Sequence, residues 1–235
     1  FNTNYNKNVV NGIVENNGQL ISGNFITQNG GAINEVYRVP YAGVNPVNGN
    51  LLFVSRTGEL TENPFDVDRV ATGKNDLPTF QGGFGFDFSY KGLFLNTLFS
   101  YVTDVWRMDF DEQGLYDSTR LNQFVVSRDL INAWTPTNTS SNIPRLGATN
   151  EGYASSDRFL RDASFLRMRN IQLGYKVNKN FLKKTFFSDV VFTLQAENLF
   201  TFTKWNGFDA ESNRTGDQNQ YPTPRIYTFG IDLKF

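Results

Sequence analysis

Three carboxylates have a spacing that first suggests chemistry in this 235-residue sequence. Asp87, Glu197 and Asp232 each stand on the polar side of a segment in which apolar and polar residues alternate. A glycosidase needs two carboxyl groups about 5 to 10 Å apart, and nothing in the linear spacing brings these three so close. Carboxylates are also expected on any polar face that meets water. We therefore do not assign them an acid-base role.

The absence of histidine and cysteine removes most other catalytic schemes. Histidine supplies the general base of Ser-His and Cys-His nucleophiles, and both residue types are the usual zinc ligands. The sequence therefore predicts a protein that is not an enzyme and that has no metal site and no cofactor. The lack of cysteine by itself indicates no particular compartment.

Five residues in polar connecting segments have side chains suited to binding: Trp134, Arg145, Asp157, Arg158 and Trp205. The indole faces could stack on sugar rings or pack against a partner protein, and the charges could line an opening or contact a lid. Packing within the loops is the alternative for the indoles, and charges near strand ends are usually solvated. The sequence leaves both interpretations open.

The composition limits how the chain can meet a membrane. Aromatic residues make up 15% of the sequence, whereas the mean hydropathy is −0.41. The longest apolar runs, such as Leu51 to Val54, are far shorter than the roughly 18 residues of a transmembrane helix. The net charge of −1, with charges scattered along the chain, excludes a nucleic-acid-binding surface. Any contact with a bilayer must be made by strands.

Five segments alternate with the period of two that predicts β-strands. Arg167 and Arg169 share the parity of the apolar residues that follow them, which indicates either a bulge or a strand that has left the membrane. We favour the second. The five segments are Phe80 to Tyr90, Leu93 to Thr103, Phe159 to Val177, Val190 to Phe202 and Ile226 to Phe235.

The connections between these strands are alternately short and long. The two residues Lys91-Gly92 form a tight turn, whereas residues 42–79, 104–158 and 203–222 form long loops, one of which contains a helical turn from Ser127 to Trp134. Short turns on one side and long loops on the other are typical of an outer-membrane barrel. We predict an all-β, antiparallel transmembrane barrel with extracellular long loops. A soluble antiparallel sandwich is the alternative, but the polar face carries Gly, Ser, Thr, Asn and Gln rather than charges.

Two weaker strands are expected, in Phe1 to Val10 and between Leu20 and Tyr41. They bring the count to seven, whereas bacterial single-chain barrels have an even number of strands. The sequence therefore predicts that the first strand starts outside the cell and pairs with upstream sequence, not with the last strand.

The last strand ends on an aromatic residue and has one fully apolar face. That face comprises Tyr227, Phe229, Ile231, Leu233 and Phe235. It resembles the signal that the barrel assembly machinery reads in outer-membrane proteins. We expect this face to serve assembly first and to contact lipid afterwards.

Several longer stretches resemble the C-terminal barrel region of SusC/RagA-type TonB-dependent outer-membrane transporters of Bacteroidetes. They are DRFLRDASFLRMRNIQLGYKV (157–177), AENLFTFTKWNGFDAE (196–211) and YPTPRIYTFGIDLKF (221–235), with weaker similarity in LINAWTPTN (130–138) and GKNDLPTFQGGFGFDFSYKGL (73–93). Together they cover about half of the chain. The sequence from Val44 to Asp76 departs from the Asp-rich, calcium-like loop of many relatives, which makes calcium there doubtful.

The resemblance implies that residues 1–235 are the last strands of a larger, 22-stranded barrel whose plug domain is absent from this sequence. It implies import of oligosaccharides or peptides across the bacterial outer membrane, under a SusD-like surface lipoprotein and powered by TonB through the missing N-terminal part. Outer-membrane lipid and the barrel assembly machinery are the other expected partners. The alternatives are a barrel that does not transport, acting as a scaffold or in secretion, and a soluble carbohydrate-binding sandwich.

Overall fold

The computed structural model describes residues 1–148, 155–211 and 222–235. Its strands are β1 (Asn2–Tyr5), β2 (Gln19–Ser22), β3 (Phe25–Gln28), β4 (Glu35–Arg38), β5 (Tyr41–Val44), β6 (Leu51–Val54), β7 (Leu60–Thr61), β8 (Val70–Ala71), β9 (Phe80–Tyr90), β10 (Leu93–Thr103), β11 (Trp106–Met108), β12 (Leu160–Asp162), β13 (Phe165–Lys176), β14 (Asp189–Glu197), β15 (Thr201–Thr203) and β16 (Ile226–Lys234). The chain also has two short α-helices, α1 (Phe110–Leu115) and α2 (Lys179–Leu182). Four 3₁₀ turns are formed by Glu15–Asn17, Asp66–Asp68, Ser118–Arg120 and Arg128–Asn132. Among these described residues, no helix has the length and apolarity needed to cross a membrane.

The main sheet is antiparallel and has the order β1-β9-β10-β13-β14-β16, with β15 paired to β13. Lys91 and Gly92 both have positive φ, 48° and 90°, which is the backbone that a two-residue hairpin turn needs. This turn and the connection 177–188 lie at one end of the sheet, which we call the short-turn end. The long connections leave from the opposite, long-loop end.

Strict alternation gives the main sheet one apolar and one polar face. On the apolar face, Phe86, Leu194 and Phe229 are more than half exposed, as strands that meet hydrocarbon would be. On the polar face, five directly opposed residues form one row across the sheet: Asp87, Asn96, Gln172, Gln195 and Thr228. Phe94 is an aromatic exception on that face, and its ring lies directly against Gly174.

Strands predicted from the sequence agree with the structure at β9, β10 and β16. At Arg167 and Arg169 the structure has the bulge, which is the alternative that the sequence did not favour. The register of β10 against β13 passes from Asn170 to Met168 and skips Arg169, so a bulge causes the change of parity. The bulge leaves Met168, not Arg169, on the apolar face opposite Phe99.

The segment between Leu20 and Tyr41 does form strands, as expected, but they do not belong to the main sheet. That region forms β2, β3 and β4, which join β8 in a separate four-stranded sheet. The main path therefore has six strands in the described residues, and β1, antiparallel to β9, runs toward the long-loop end, whereas a count of seven predicted that it would run away from that end. In the parts of the chain that are described, β1 pairs with β9 and β16 with β14, so the sheet is open between them.

The long connections pack against one another at the long-loop end. Val39, Leu51 and Phe53 are fully buried and form one apolar cluster, while Leu130, Ala133 and Ile143 form a second. The helical turn predicted near Ser127 is present as the 3₁₀ turn Arg128–Asn132, with the Ser127 hydroxyl accepting from the amide of Asp129. Each cluster lies within one connection, and backbone contacts join the connections: the amide of Arg145 donates to the carbonyl of Gly49 at 2.9 Å, and Val39 forms a β-bridge with Ser156. The loops therefore form a folded cap.

Candidate functional site

A cavity of about 560 Å³ opens between the long connections of this cap. Three aromatic rings and three charged side chains line it. They are Tyr41, Tyr116 and Phe159, together with Glu112, Arg158 and Arg161, and the segment from Thr139 to Ile143 closes one side. The cavity therefore combines flat apolar surfaces with charge, a composition that suits recognition of polar ligands.

Tyr41 is held by contacts on two sides of β5. Its ring meets the buried Phe53 ring edge-on, with centroids 6.2 Å apart, and its backbone amide donates to Oδ1 of Asp157 at 2.7 Å. Burial raises the pKa of the Asp157 carboxyl, and the Tyr41 amide and nearby arginines only partly oppose this rise. Asp157 therefore fixes the backbone of the strand that carries Tyr41.

Arg158 places its guanidinium over two of the rings that line the cavity. Its Cζ lies 4.8 Å from the centroid of Phe159 and 5.6 Å from that of Tyr41. Next to it, Arg161 is paired through Nε with Oε2 of Glu112 at 2.9 Å. Stacked guanidinium and aromatic groups recognise carboxylates, amides and sugar faces. In the described parts of the chain, no group of His, Cys, Asp and Glu could hold a metal ion.

Trp134 and Arg145 lie behind the cavity wall. The Trp134 indole donates to the carbonyl of Pro46 at 3.1 Å, and its ring covers Gly49, where a side chain would collide with it. Arg145 donates through Nε to Oδ1 of Asn50 at 3.1 Å. Both residues join the 127–148 segment to the turn between β5 and β6, which is a packing role.

The turn between β5 and β6 is closed by one carboxylate. Glu62 accepts from the side-chain amides of Asn45, Asn48 and Asn50 at 2.6, 2.7 and 2.6 Å. These bonds, above all the one from Asn50, lower the pKa of the Glu62 carboxyl. Amide donors thus occupy this carboxylate in the region where calcium seemed doubtful from sequence.

Trp205 lies in a different place from the other predicted site residues. Its ring covers Gly207 so closely that no side chain would fit there, and Oδ2 of Asp109 lies at the same spot. Of the five predicted residues, the structure therefore brings Arg158 into the cavity, places Asp157, Trp134 and Arg145 in its support, and leaves Trp205 outside it.

A buried charge network ties the last long connection to the sheet. Arg167, with its side chain 4% exposed, pairs with Asp209, 5% exposed, and its Nη1 lies 3.0 Å from Oε2 of Glu211. Arg169 pairs with the same Glu211 and donates to the Ser100 hydroxyl at 2.6 Å. We refer to these residues as the loop-anchoring network.

Hydrogen bonds decide the ionisation of Asp209 within this network. Burial raises its pKa, but donation from Arg167, the Glu211 amide and Thr223 outweighs burial and lowers the pKa from 3.8 to about 2. Arg107 adds a bond from Nη1 to the carbonyl of Ala210 at 3.0 Å. Sequence reasoning missed this network, although the parity change at Arg167 and Arg169 was its signal.

The three carboxylates considered first do not meet. Asp87 on β9 and Glu197 on β14 are three strand spacings apart, about 14 Å. Glu197 lies opposite Ile226, six residues along β16 from Asp232, which is about 20 Å. Acid-base catalysis by any pair of them is excluded by distance.

Comparisons with known proteins agree on one kind of relative. No family model matches the chain. TonB-dependent receptor P3 of Formosa agariphila is 32% identical over 183 residues, covering 72% of this chain and 17% of the receptor. TonB-dependent receptor SusC of Bacteroides thetaiotaomicron is 36% identical over 100 residues, covering 42% of the chain and 10% of the receptor. The solved structure of the RagAB peptide transporter superposes with a TM-score of 0.87 at 28% identity, covering 99% of this chain and 26% of that one. The chain thus spans about a quarter or less of the length of these relatives.

Proposed function

The chain belongs to the SusC/RagA-type TonB-dependent receptors of the bacterial outer membrane, and from this premise we propose that it forms part of the wall and outer cap of an importer for peptides or oligosaccharides. Residues 1–235 would be the C-terminal part of a larger barrel, with the connections 42–79, 104–158 and 203–222 outside the cell and a plug supplied by other sequence. The apolar face would meet lipid and the polar face would line the lumen.

The observation that carries this proposal is the folded cap with its cavity. Passive barrel scaffolds need no pocket in their loops, whereas the rings of Tyr41 and Phe159 and the guanidinium of Arg158 form a surface able to hold a polar ligand. The similarity to receptors and to a peptide transporter favours import over a scaffold or secretion role.

The partners follow from the same similarity. A SusD-like lipoprotein would cover the cap, TonB would act through the N-terminal part of the full-length receptor, and the barrel assembly machinery would insert the strands. Co-purification of the full-length receptor with a surface lipoprotein is expected. A receptor that remains alone after mild detergent extraction would argue against the lid.

Uptake by whole cells tests the proposed import. Cells that carry the full-length receptor should accumulate fluorescent oligopeptides or oligosaccharides, and an uncoupler of the proton gradient should abolish this. Arg158→Ala should raise the half-saturating concentration roughly tenfold, since it removes a charged hydrogen-bond donor to the ligand, which contributes about 1.5 kcal/mol. Arg128→Ala, an exposed loop arginine outside the cavity, is the matched control. Uptake that is insensitive to the uncoupler for both ligand classes would contradict energised import.

A further inference from the structure

The lysines and arginines of the chain are segregated between the two ends of the sheet. Six of the nine lysines lie at the short-turn end, and none of the twelve arginines in the described parts of the chain does. These lysines are Lys91, Lys176, Lys179, Lys183, Lys184 and Lys234. All six are exposed, so this end of the sheet presents ammonium groups to its surroundings.

Part of this charge is balanced on the polar face. Lys176 pairs with Asp189 at 2.8 Å, and Lys234 lies directly opposite Asp189 in the register of β14 and β16. The connection 177–188 itself contains Lys179, Lys183 and Lys184 and no acidic residue. Its outer lysines therefore have no carboxylate partner within the connection.

Aromatic rings lie at the same end of the sheet as these lysines. The rings of Phe186 and Phe187 are 4.2 Å apart, and both contact Phe235, at 6.0 and 5.5 Å. Tyr90 and Tyr175 flank Leu93 in one row of the apolar face, and Nζ of Lys91 lies 5.1 Å from the Tyr90 ring.

The two turns adjoin each other, because the amide of Lys176 donates to the carbonyl of Gly92 at 2.7 Å. The lysines of the hairpin turn and of the connection 177–188 therefore share one surface. We define the basic turn patch as Lys91, Lys183 and Lys184 with the rings of Tyr90, Tyr175, Phe186 and Phe235.

We propose that the basic turn patch binds the headgroups of anionic phospholipids in the periplasmic leaflet of the outer membrane. In an outer-membrane barrel the short turns face the periplasm, so the rings lie at the level of the headgroups. Aromatic side chains anchor at that level, and lysines next to it attract anionic lipid. The proposal depends on this orientation and not on which ligand is imported.

Local energy transfer to labelled lipid tests the proposal. The chain contains no cysteine, so Asn180→Cys in the connection 177–188 places one donor dye beside the patch. The full-length receptor, with any cysteines elsewhere replaced, is reconstituted in phosphatidylcholine nanodiscs. These contain a small, equal fraction of acceptor-labelled phosphatidylglycerol or phosphatidylcholine. The ratio of the two transfer signals gives the local preference for the anionic headgroup.

The wild-type patch should prefer phosphatidylglycerol at low salt. Lys183→Gln with Lys184→Gln should lower the preference about 25-fold, since each lysine near a membrane surface contributes about fivefold. Lys183→Arg with Lys184→Arg should keep it, because both side chains stay charged. Lys7→Gln with Lys204→Gln removes the same charge at the long-loop end and should leave it unchanged.

Raising the salt concentration tests the proposal without any substitution in the patch. In 1 M salt the screening length is about 3 Å, so the preference of the wild-type receptor should largely disappear. Equal transfer to both lipids at low salt would overturn the proposal. A preference that persists through both the glutamine substitutions and high salt would also overturn it. If the glutamine variant does not assemble, the salt titration of the wild-type receptor decides.

Discussion

Replacing Asp209 by Asn should release the last long connection from the sheet. The lowering of the Asp209 pKa from 3.8 to about 2 corresponds to roughly 2 to 3 kcal/mol in favour of the ionised, docked state, at 1.36 kcal/mol per pKa unit. The Glu211 amide donates to Oδ1 of Asp209 and the Thr223 amide to Oδ2, so an asparagine, which has one side-chain oxygen, keeps only one of these acceptors, and Arg167 would lose a buried anion. Loss of one partner of such a pair is costly because the other charge stays buried.

Hydrogen exchange of the full-length receptor measures this release. The amides of Glu211 and Thr223 both donate to Asp209, so their protection should fall about 30- to 150-fold in Asp209→Asn, which is the equivalent of roughly 2 to 3 kcal/mol. Asp66→Asn is the matched control, because Asp66 is 73% exposed and 3.5 Å from Arg69. Such exposed pairs contribute a few tenths of a kcal/mol. In Asp66→Asn the protection of the neighbouring amides should therefore change less than twofold.

The stabilisation that Asp209 gives to the docked loop depends on pH. Because the folded-state pKa of Asp209 is depressed, its contribution is fully present above pH 4 and is lost as the pH falls from about 4 to about 2. A spin label at Asn206→Cys should become mobile in that window. Protection unchanged in Asp209→Asn, or a loss spread through the amides of β13 and β14, would refute the idea that this network anchors the loop.

Three further substitutions test the assembly signal, the packing of the polar face and the orientation. Phe235→Ala should lower outer-membrane abundance, measured by blotting, but not uptake per assembled receptor. The reason is that it removes a ring that stacks on Phe186 and contributes roughly 1.5 to 3 kcal/mol. Normal abundance with lost uptake would reject the assembly role. Gly174→Ala should destabilise the folded barrel by about 1 to 3 kcal/mol, because the added Cβ would collide with the Phe94 ring. The loss should appear as a lower unfolding temperature in a heat-modifiability gel, and adding Phe94→Leu should restore it. A cysteine replacing Asn138 should react with an impermeant label on intact cells, and labelling only from the periplasm would reverse the orientation.

Local patterns were sufficient to predict the strands of the main sheet. In β9, β10 and β16 each side chain's face follows from its position alone, and the period of two is clear although Phe94, Leu98 and Val102 lie on the polar face of β10. Their bounds could therefore be predicted within a residue, and the Lys91-Gly92 turn with them. The apolar face from Tyr227 to Leu233 was assigned for the same reason.

The loops could not be predicted in the same way, because their contacts join residues far apart in sequence. Gln19 to Arg38 has the β propensity of a barrel strand, but its hairpin joins β8 and lies outside the main sheet. The site candidates show the same limit. Residue type selected Arg158 and Trp134 equally, but only the packing of separate connections placed one in the cavity and the other behind it.

The sequence by itself therefore determined the sheet, its two faces and the family, because these depend on period, turn chemistry and contiguous motifs. The tertiary structure decided the cap, the cavity and the loop-anchoring network. Arg167 and Asp209 are 42 residues apart, and no local sequence pattern predicts that they pair. Their pairing depends on the bulge at Arg169 and on the fold of the last connection, which bring both charges out of water at the same place.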